Sequence, residues 1–265
     1  MTPRELRKII LEQSKRAHVG HIGSALSVTD IIASLYGGGL NIPGVTDRER
    51  DRFILSKGHA SLALYAALHL RGFLSSAQLN SFCGDATLLG VHPEHALPGV
   101  DFCSGSLGQG LSVAAGAALG AQLQNSPRRV FALLSDAECN EGSVWEAVMF
   151  SAHRRLSNLI AIIDLNGQQA LGYTRDVLDL SDMAGRWTAF GWHAQEVDGH
   201  DTAALCEAYE RCKTVPGKPH VIIARTVFGK GVSFMENLIK WHYWPMSDDE
   251  YTQALAEVEA TPTTP

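Results

Sequence analysis

The chain has 265 residues and a formal net charge of −6 at neutral pH, with 45% hydrophobic and 19% charged residues. That composition excludes a disordered or fibrous chain and leaves length enough to bury a large core. The acidic balance excludes a general attraction for nucleic acid or for an anionic membrane surface.

Cys83, Cys103, Cys139, Cys206 and Cys212 form no C-x-x-C pair, and their odd number argues against a disulfide framework. Reduced thiols in a cytoplasmic protein are the expectation. Arg4, Glu5, Arg7, Lys8 and Glu12 sit in an amphipathic pattern that reads as a helix over 4–19, neither a signal peptide nor an anchor. The most apolar window, Leu107 to Leu123, is broken by Gln109, Ser112 and several glycines and is too short to span a bilayer.

After the first helix, Gly20 and Gly23 bracket His21. Glycine allows a close backbone approach, and histidine can donate to or accept from an oxygen. On local sequence alone, a helix end followed by a turn is the plainer explanation, since a lone histidine is weak evidence. Ser27-Val28-Thr29-Asp30 then reads as the cap of a second helix that runs to about Tyr36 and stops at Gly37. Phe53 to Ser56 is a short strand that delivers Lys57-Gly58-His59, followed by an apolar helix from Ala60 to Leu70. Such a strand–glycine–helix junction favours an anion, which makes His59 a candidate phosphate contact; an ordinary turn fits the same residues. A further helix is expected over 73–82. The irregular stretch that follows carries His92 and His95, and loops of that length often serve a site. Gly105, Gly108 and Gly110 do not match the dinucleotide fingerprint. They lead into a predicted helix over 106–123, where glycine would permit contact with a flat ring or a neighbouring helix.

The chain is organised around residues 129–172. Val130 to Leu134 reads as a buried strand, 142–155 as a helix and Leu159 to Ile163 as a second strand. A right-handed βαβ unit brings the loop at Asp136 and the loop at Asn166-Gly167-Gln168 to one carboxyl edge. A carboxylate, an amide oxygen and a neighbouring main-chain carbonyl are hard ligands suited to Mg²⁺ or Ca²⁺, which at so few protein groups usually bridges to phosphate. Glu141 and Glu146, near the helix start, are explained as dipole partners. Trp145, Met149 and Phe150 make the same helix apolar all round, as for a helix buried against another chain.

A short helix within 176–192, a strand over 193–197, a helix over 202–213, a last strand over 220–225 and a C-terminal helix capped by Ser247 complete the reading. Residues 260–265 are expected as a loose tail. The expected fold is α/β: a single doubly wound, mostly parallel sheet with helices on both faces. It forms one domain over 1–265, with helical extensions at both ends.

Leu134 to Trp145, with Asn166 beyond it, resembles the thiamine-diphosphate motif G-D-G…N. Gly20 to Gly23, Leu55 to Ala60, Gly90 to Glu94, Gly105 to Gly110, Gly229 to Asn237 and Trp241-His242 are similar, in order, to transketolase across nearly the whole chain. The part present resembles the N-terminal, diphosphate-binding half of the enzyme. In a split transketolase that half is a separate N-terminal (A) chain, which works with a C-terminal (B) chain in an A₂B₂ assembly. The resemblance implies thiamine diphosphate with Mg²⁺ (Ca²⁺ or Mn²⁺ as substitutes), and sugar or sugar-phosphate substrates. It implies that Asp136, Asn166 and the main-chain oxygen of Gln168 ligate the metal, and that His59 and His242 face the diphosphate, beside Ala137. It further implies that His21 and His92 face the reacting carbons, that Gly105 and Leu107 touch the aminopyrimidine, and that Glu141 and Glu146 join a carboxylate network between subunits.

Two departures bear on this. G-D-G reads Ser135-Asp136-Ala137, which is expected to strain any positive-φ backbone at 137 and to weaken cofactor binding. The glycine usual after Trp-His is Tyr243, followed by Trp244 and Pro245, which is expected to narrow the way to the substrate. The competing classes are half of another thiamine-diphosphate enzyme, such as an E1α-like 2-oxo acid dehydrogenase chain or a pyruvate-using acyl transferase, and a non-catalytic scaffold. The set His21, His59, His92 and His242 favours a sugar, whose oxygens need more donors than a keto acid has use for.

Overall fold

In the computed structural model, which describes residues 1–261, the apolar runs of the sequence become five parallel strands in one sheet. The strands are β1 (Arg52–Leu55), β2 (Val130–Ser135), β3 (Leu159–Leu165), β6 (His193–Asp198) and β7 (His220–Arg225), in the order β1-β2-β3-β7-β6. Between β3 and β6 lies a small antiparallel hairpin, β4 (Gln168–Gln169) and β5 (Gly172–Tyr173). The helices are α1 (Pro3–Ala17), α2 (Ile22–Ser27), α3 (Thr29–Ser34), α4 (Ser61–Leu70), α5 (Ser76–Leu79) and α6 (Gly110–Leu123). They continue as α7 (Gly142–His153), α8 (Thr174–Val177), α9 (Met183–Ala189), α10 (Thr202–Cys212) and α11 (Asp248–Ala260).

Side chains alternate across a strand, and here both faces are apolar. Phe53, Leu55, Phe131, Leu133, Ile160 and Ile162 enter one core with residues of α1, α3, α4 and α10. Ile54, Ala132, Leu134, Ala161 and Ile163 enter a second core with α6, α7 and α9. Right-handed crossovers account for the division. The chain steps from β1 through β2 to β3 with α6 and α7 on one face; it then reverses from β6 to β7, which throws α10 to the other. The doubly wound, parallel architecture expected from the sequence is the one observed.

The central unit is registered residue for residue, Val130 opposite Leu159 through Ser135 opposite Asp164. Beyond the last pair, the Asp136 amide still donates to the Asp164 carbonyl at 3.2 Å. Both loop tips therefore leave the sheet side by side at its carboxyl edge, as the βαβ reading requires.

Several boundaries differ from expectation. Residues 22–27 fold as helix rather than turn, and Ser27 is the last residue of α2 rather than a cap; its hydroxyl points to Asp164 at 2.7 Å. The 73–82 segment keeps only the four residues of α5, which a Ser75–Gln78 capping box starts and Asn80 caps at its end, and the turns that follow lead to Cys83 at φ 55°. The 106–123 helix begins at Gly110, because Gly108 sits at φ 85°. Gly116 and Gly120 have open space where a Cβ would lie, so no neighbouring helix among the described residues calls for them. The 176–192 segment is two short helices, and Asp182 caps the second. On α7, Val144, Ala147, Val148 and Ser151 point inward while Met149 and Phe150 are exposed, so this chain covers only one of its faces. The expected tail beyond 261 lies outside the described residues.

Candidate active site

Four loops meet at the carboxyl edge, and small residues let them come close. A Cβ on Gly20 would lie 2.3 Å from the Tyr243 carbonyl oxygen, and one on Gly23 would lie 2.2 Å from the Phe228 ring. Those contacts seat the start of α2 on the C-terminal loop, where the His21 amide donates to the His242 carbonyl at 3.3 Å. His21 itself is at φ 62°, a left-handed conformation that only a shaped neighbourhood maintains in a side-chain-bearing residue. His59 arrives on a 3₁₀ turn directly after β1, where Gly58 abuts the main chain of Ser104.

The result is a cluster of three imidazoles. Ring centroids are 5.6 Å apart for His21–His59, 5.3 Å for His21–His242 and 5.7 Å for His59–His242. Burial lowers the pKa of all three: His21 below its usual value, with His92 adding to the effect, His59 well below, with Lys57 and the neighbouring histidines adding, and His242 to about 4, with His21 and Lys57 adding. They are neutral imidazoles at physiological pH. The buried Nδ1 atoms of His21 and His242 have no partner among the described residues. His92 stands apart on the exposed rim, its ring against Gly105 and its carbonyl accepting from the Tyr65 hydroxyl at 3.1 Å.

Asp136 is completely buried at the tip of β2. One carboxylate oxygen accepts from the Ala137 amide at 2.8 Å; the other accepts from the Gly167 amide at 2.8 Å and the Thr174 hydroxyl at 3.0 Å. Burial first, and the Asp164 carboxylate second, push its pKa up to about 6. Asn166 accepts from the Gln168 amide at 2.9 Å through Oδ1 and donates to Asp164 at 2.9 Å, so its oxygen stays on the Gln168 side. Neither side-chain polar atom of the buried Gln168 has a partner among the described residues. A buried carboxylate beside an amide oxygen offers hard oxygen donors of the kind that could hold a divalent ion.

Ala137 lies in a 3₁₀ turn and is absent from the residues with positive φ. The strain expected from losing glycine there does not arise, because the turn needs no left-handed residue. Gly105, half-buried, and Leu107, exposed, lie on the loop that leads to α6. Glu141 and Glu146 are exposed and outside the cluster; the Glu141 side chain packs on Gly108. The Tyr243 hydroxyl reaches across to donate to the Ala170 carbonyl, and its ring lies beside His242, 5.1 Å between centroids.

Two buried groups organise these loops without standing out in the sequence. Lys57 is ion-paired with Asp164, which also accepts from Ser27, Thr226 and Asn166. Glu138 accepts from Ser56, from the Gly108 amide at 2.9 Å and from the Ser135 amide at 2.9 Å. The available signal is a charged residue directly after an apolar strand, at Lys57 and Asp164. Glu138 has none, since an acid after Asp136 reads as a solvated loop.

Comparison with known proteins gives this geometry a family. Residues 4–265 match the transketolase, thiamine diphosphate binding domain. The chain is 40% identical over 259 residues to a 6-deoxy-6-sulfo-D-fructose transketolase subunit of Clostridium sp., covering 96% of this chain and 94% of that one. It is 37% identical to an apulose-4-phosphate transketolase subunit of Phocaeicola vulgatus, over 95% and 90% of the two chains. Transketolase from Campylobacter jejuni superposes with a TM-score of 0.91 at 30% identity, covering 97% of this chain and 42% of that longer one. With a doubly wound parallel sheet, and with a family match and relatives that run along nearly its whole length, the chain belongs to the transketolase family as its thiamine diphosphate binding domain.

Proposed function

We propose that this chain is the diphosphate-binding half of a two-chain, cytoplasmic transketolase, moving a two-carbon ketol unit from a ketose to an aldose with a separate pyrimidine-binding chain. The observation that carries this reading is the Asp136 carboxylate, wholly buried and held only by N–H and O–H donors beside the Asn166–Gln168 loop. Asp136, the Asn166 Oδ1 and the Gln168 main-chain oxygen would hold Mg²⁺, with Ala137 beside the bound diphosphate. The unpaired nitrogens of His21 and His242 fit the oxygen-rich diphosphate and sugar. When bound, thiamine diphosphate supplies the electron sink through which the ketose C2–C3 bond breaks.

The chain's own residues then have distinct tasks. His59 and His242 orient the diphosphate. His21 and His92 bind the sugar oxygens and hold or release protons at them. Gly105 and Leu107 offer backbone atoms to the aminopyrimidine. Glu141 and Glu146, with the exposed Met149 and Phe150 nearby, contribute to the contact between chains of an A₂B₂ assembly. Tyr243 narrows the approach to His242. Since the two relatives are named for a sulfo-sugar and a sugar phosphate, we infer a ketose donor bearing an anionic group.

The test is reconstitution with the pyrimidine-binding chain. Calorimetry with thiamine diphosphate is expected to give Mg²⁺-dependent binding that Asp136→Ala removes together with turnover, while the isolated chain gives no turnover. A sulfonated or phosphorylated ketose is expected to serve as donor. Pyruvate as the preferred donor would instead support a 2-oxo acid enzyme, and full activity of Asp136→Ala complexes would refute the assignment.

A further inference from the structure

The loop that joins α5 to α6 gathers a second set of donor atoms, away from Asp136. Glu94, His95 and Cys103 each present one ligand atom, and the three lie within 4.8 Å of one another. Cys103 Sγ is 3.0 Å from His95 Nδ1 and 3.1 Å from Glu94 Oε2. The His95 main-chain amide also donates to the same sulfur at 3.2 Å. The Cys103 thiol donates to Glu94 and receives the His95 amide, and a bound cation would take the place of the thiol proton. Glu94 and His95 are exposed and Cys103 is half-buried, so an ion has access to all three.

From Zn–S near 2.3 Å and Zn–N or Zn–O near 2.1 Å, the edges of a tetrahedral site measure about 3.5 Å. The two separations from Cys103 Sγ, 3.0 and 3.1 Å, are about half an ångström shorter, and the Glu94 and His95 atoms lie within 4.8 Å of each other, so side-chain rotations would open the site to an ion. Cysteine and histidine select a softer ion than Mg²⁺, which prefers oxygen alone. We propose that Glu94, His95 and Cys103 form a binding site for a thiophilic divalent cation, Zn²⁺ by its chemistry, with the fourth position open to water. Such an ion ties the two ends of the 94–103 segment together. That segment is flanked by His92 and Gly105, whose ring and main chain already touch, and the Ser104 amide donates to the Pro93 carbonyl at 3.4 Å. The ion is therefore a clamp on a loop at the rim of the histidine cluster. The site stands independently of the proposed reaction.

The experiment titrates the full chain with Co²⁺ as a spectroscopic probe, under a phosphine reductant and in excess Mg²⁺ to occupy hard-ligand positions. One equivalent is expected to bind with a sulfur-to-cobalt charge-transfer band in the near ultraviolet, and Zn²⁺ is expected to displace it. Cys103→Ser should abolish the band with the far-ultraviolet circular dichroism unchanged, and His95→Ala should weaken binding by at least about tenfold. In Zn²⁺, amide exchange over 94–105 should slow by about threefold or more in the wild-type chain alone. A wild-type chain without the band, or a band that survives Cys103→Ser, overturns the proposal.

Discussion

Lys57 and Asp164, 1% and 0% exposed at their side chains, show how single residues hold the candidate site. A buried pair adds little net stability, but removing one partner strands a charge in the interior. Lys57→Met is expected to destabilise the chain by about 3–5 kcal/mol, measured by urea unfolding, because it leaves the buried Asp164 without its ion-pair partner. Asp164→Asn added to that variant should recover part of the loss. If Lys57→Met alone unfolds at the wild-type midpoint, the pair is not structural. Asp136 differs in kind: its carboxylate has hydrogen-bond donors but no cationic side chain among its hydrogen-bond partners.

At the scale of elements, the site is an edge where β1 and β2 end and α6 begins, and Glu138 joins all three. Its carboxylate receives the Ser56 hydroxyl after β1, the Ser135 amide at the end of β2 and the Gly108 amide before α6. Glu138→Ala leaves two buried N–H groups without partners, at about 1–3 kcal/mol each. The expected outcome is a loss of roughly 2–4 kcal/mol in denaturant unfolding, together with faster amide exchange at Gly108. Glu138→Gln, which can still accept through one oxygen, should lose less. Equal losses for both variants would mean that burial of the side chain, and not its hydrogen bonds, sets the cost.

The whole molecule stores several neutral imidazoles in its interior, and that fixes a sign for its response to pH. His220, entirely buried against β6, has a pKa lowered to about 4 by burial and by His193, against 6.5 for a free histidine. Between those values the unfolded chain binds the proton and the folded chain does not, so stability rises with pH through the window and falls on acidification. Asp136, raised to about 6, works in the opposite sense, so total stability is not a clean readout. Comparing wild type with His220→Gln isolates the histidine: the wild-type thermal midpoint should fall more steeply from pH 6.5 to about 4. Parallel curves would show that His220 does not titrate differently in the two states. Among the described residues, no helix is long and apolar enough to cross a membrane.

The amino-acid sequence by itself determined the parallel strands, because fully buried strands read as unbroken apolar runs such as Leu159 to Ile163. It also determined that Asp136 and Asn166 share an edge, because crossover handedness leaves no alternative. Helix ends were less legible. Whether α2 forms, or where α6 starts, depends on Gly23 meeting Phe228 and on Gly108 meeting Glu141, contacts between distant segments. Ala137 departs from expectation for the same reason, since only the fold decides whether a residue sits at positive φ. Tertiary structure alone brought His21, His59 and His242 into one cluster and gave Glu138 and Lys57 their partners. Periodicity encodes which face a side chain occupies; which loops converge is encoded in packing, and packing is a property of the whole chain.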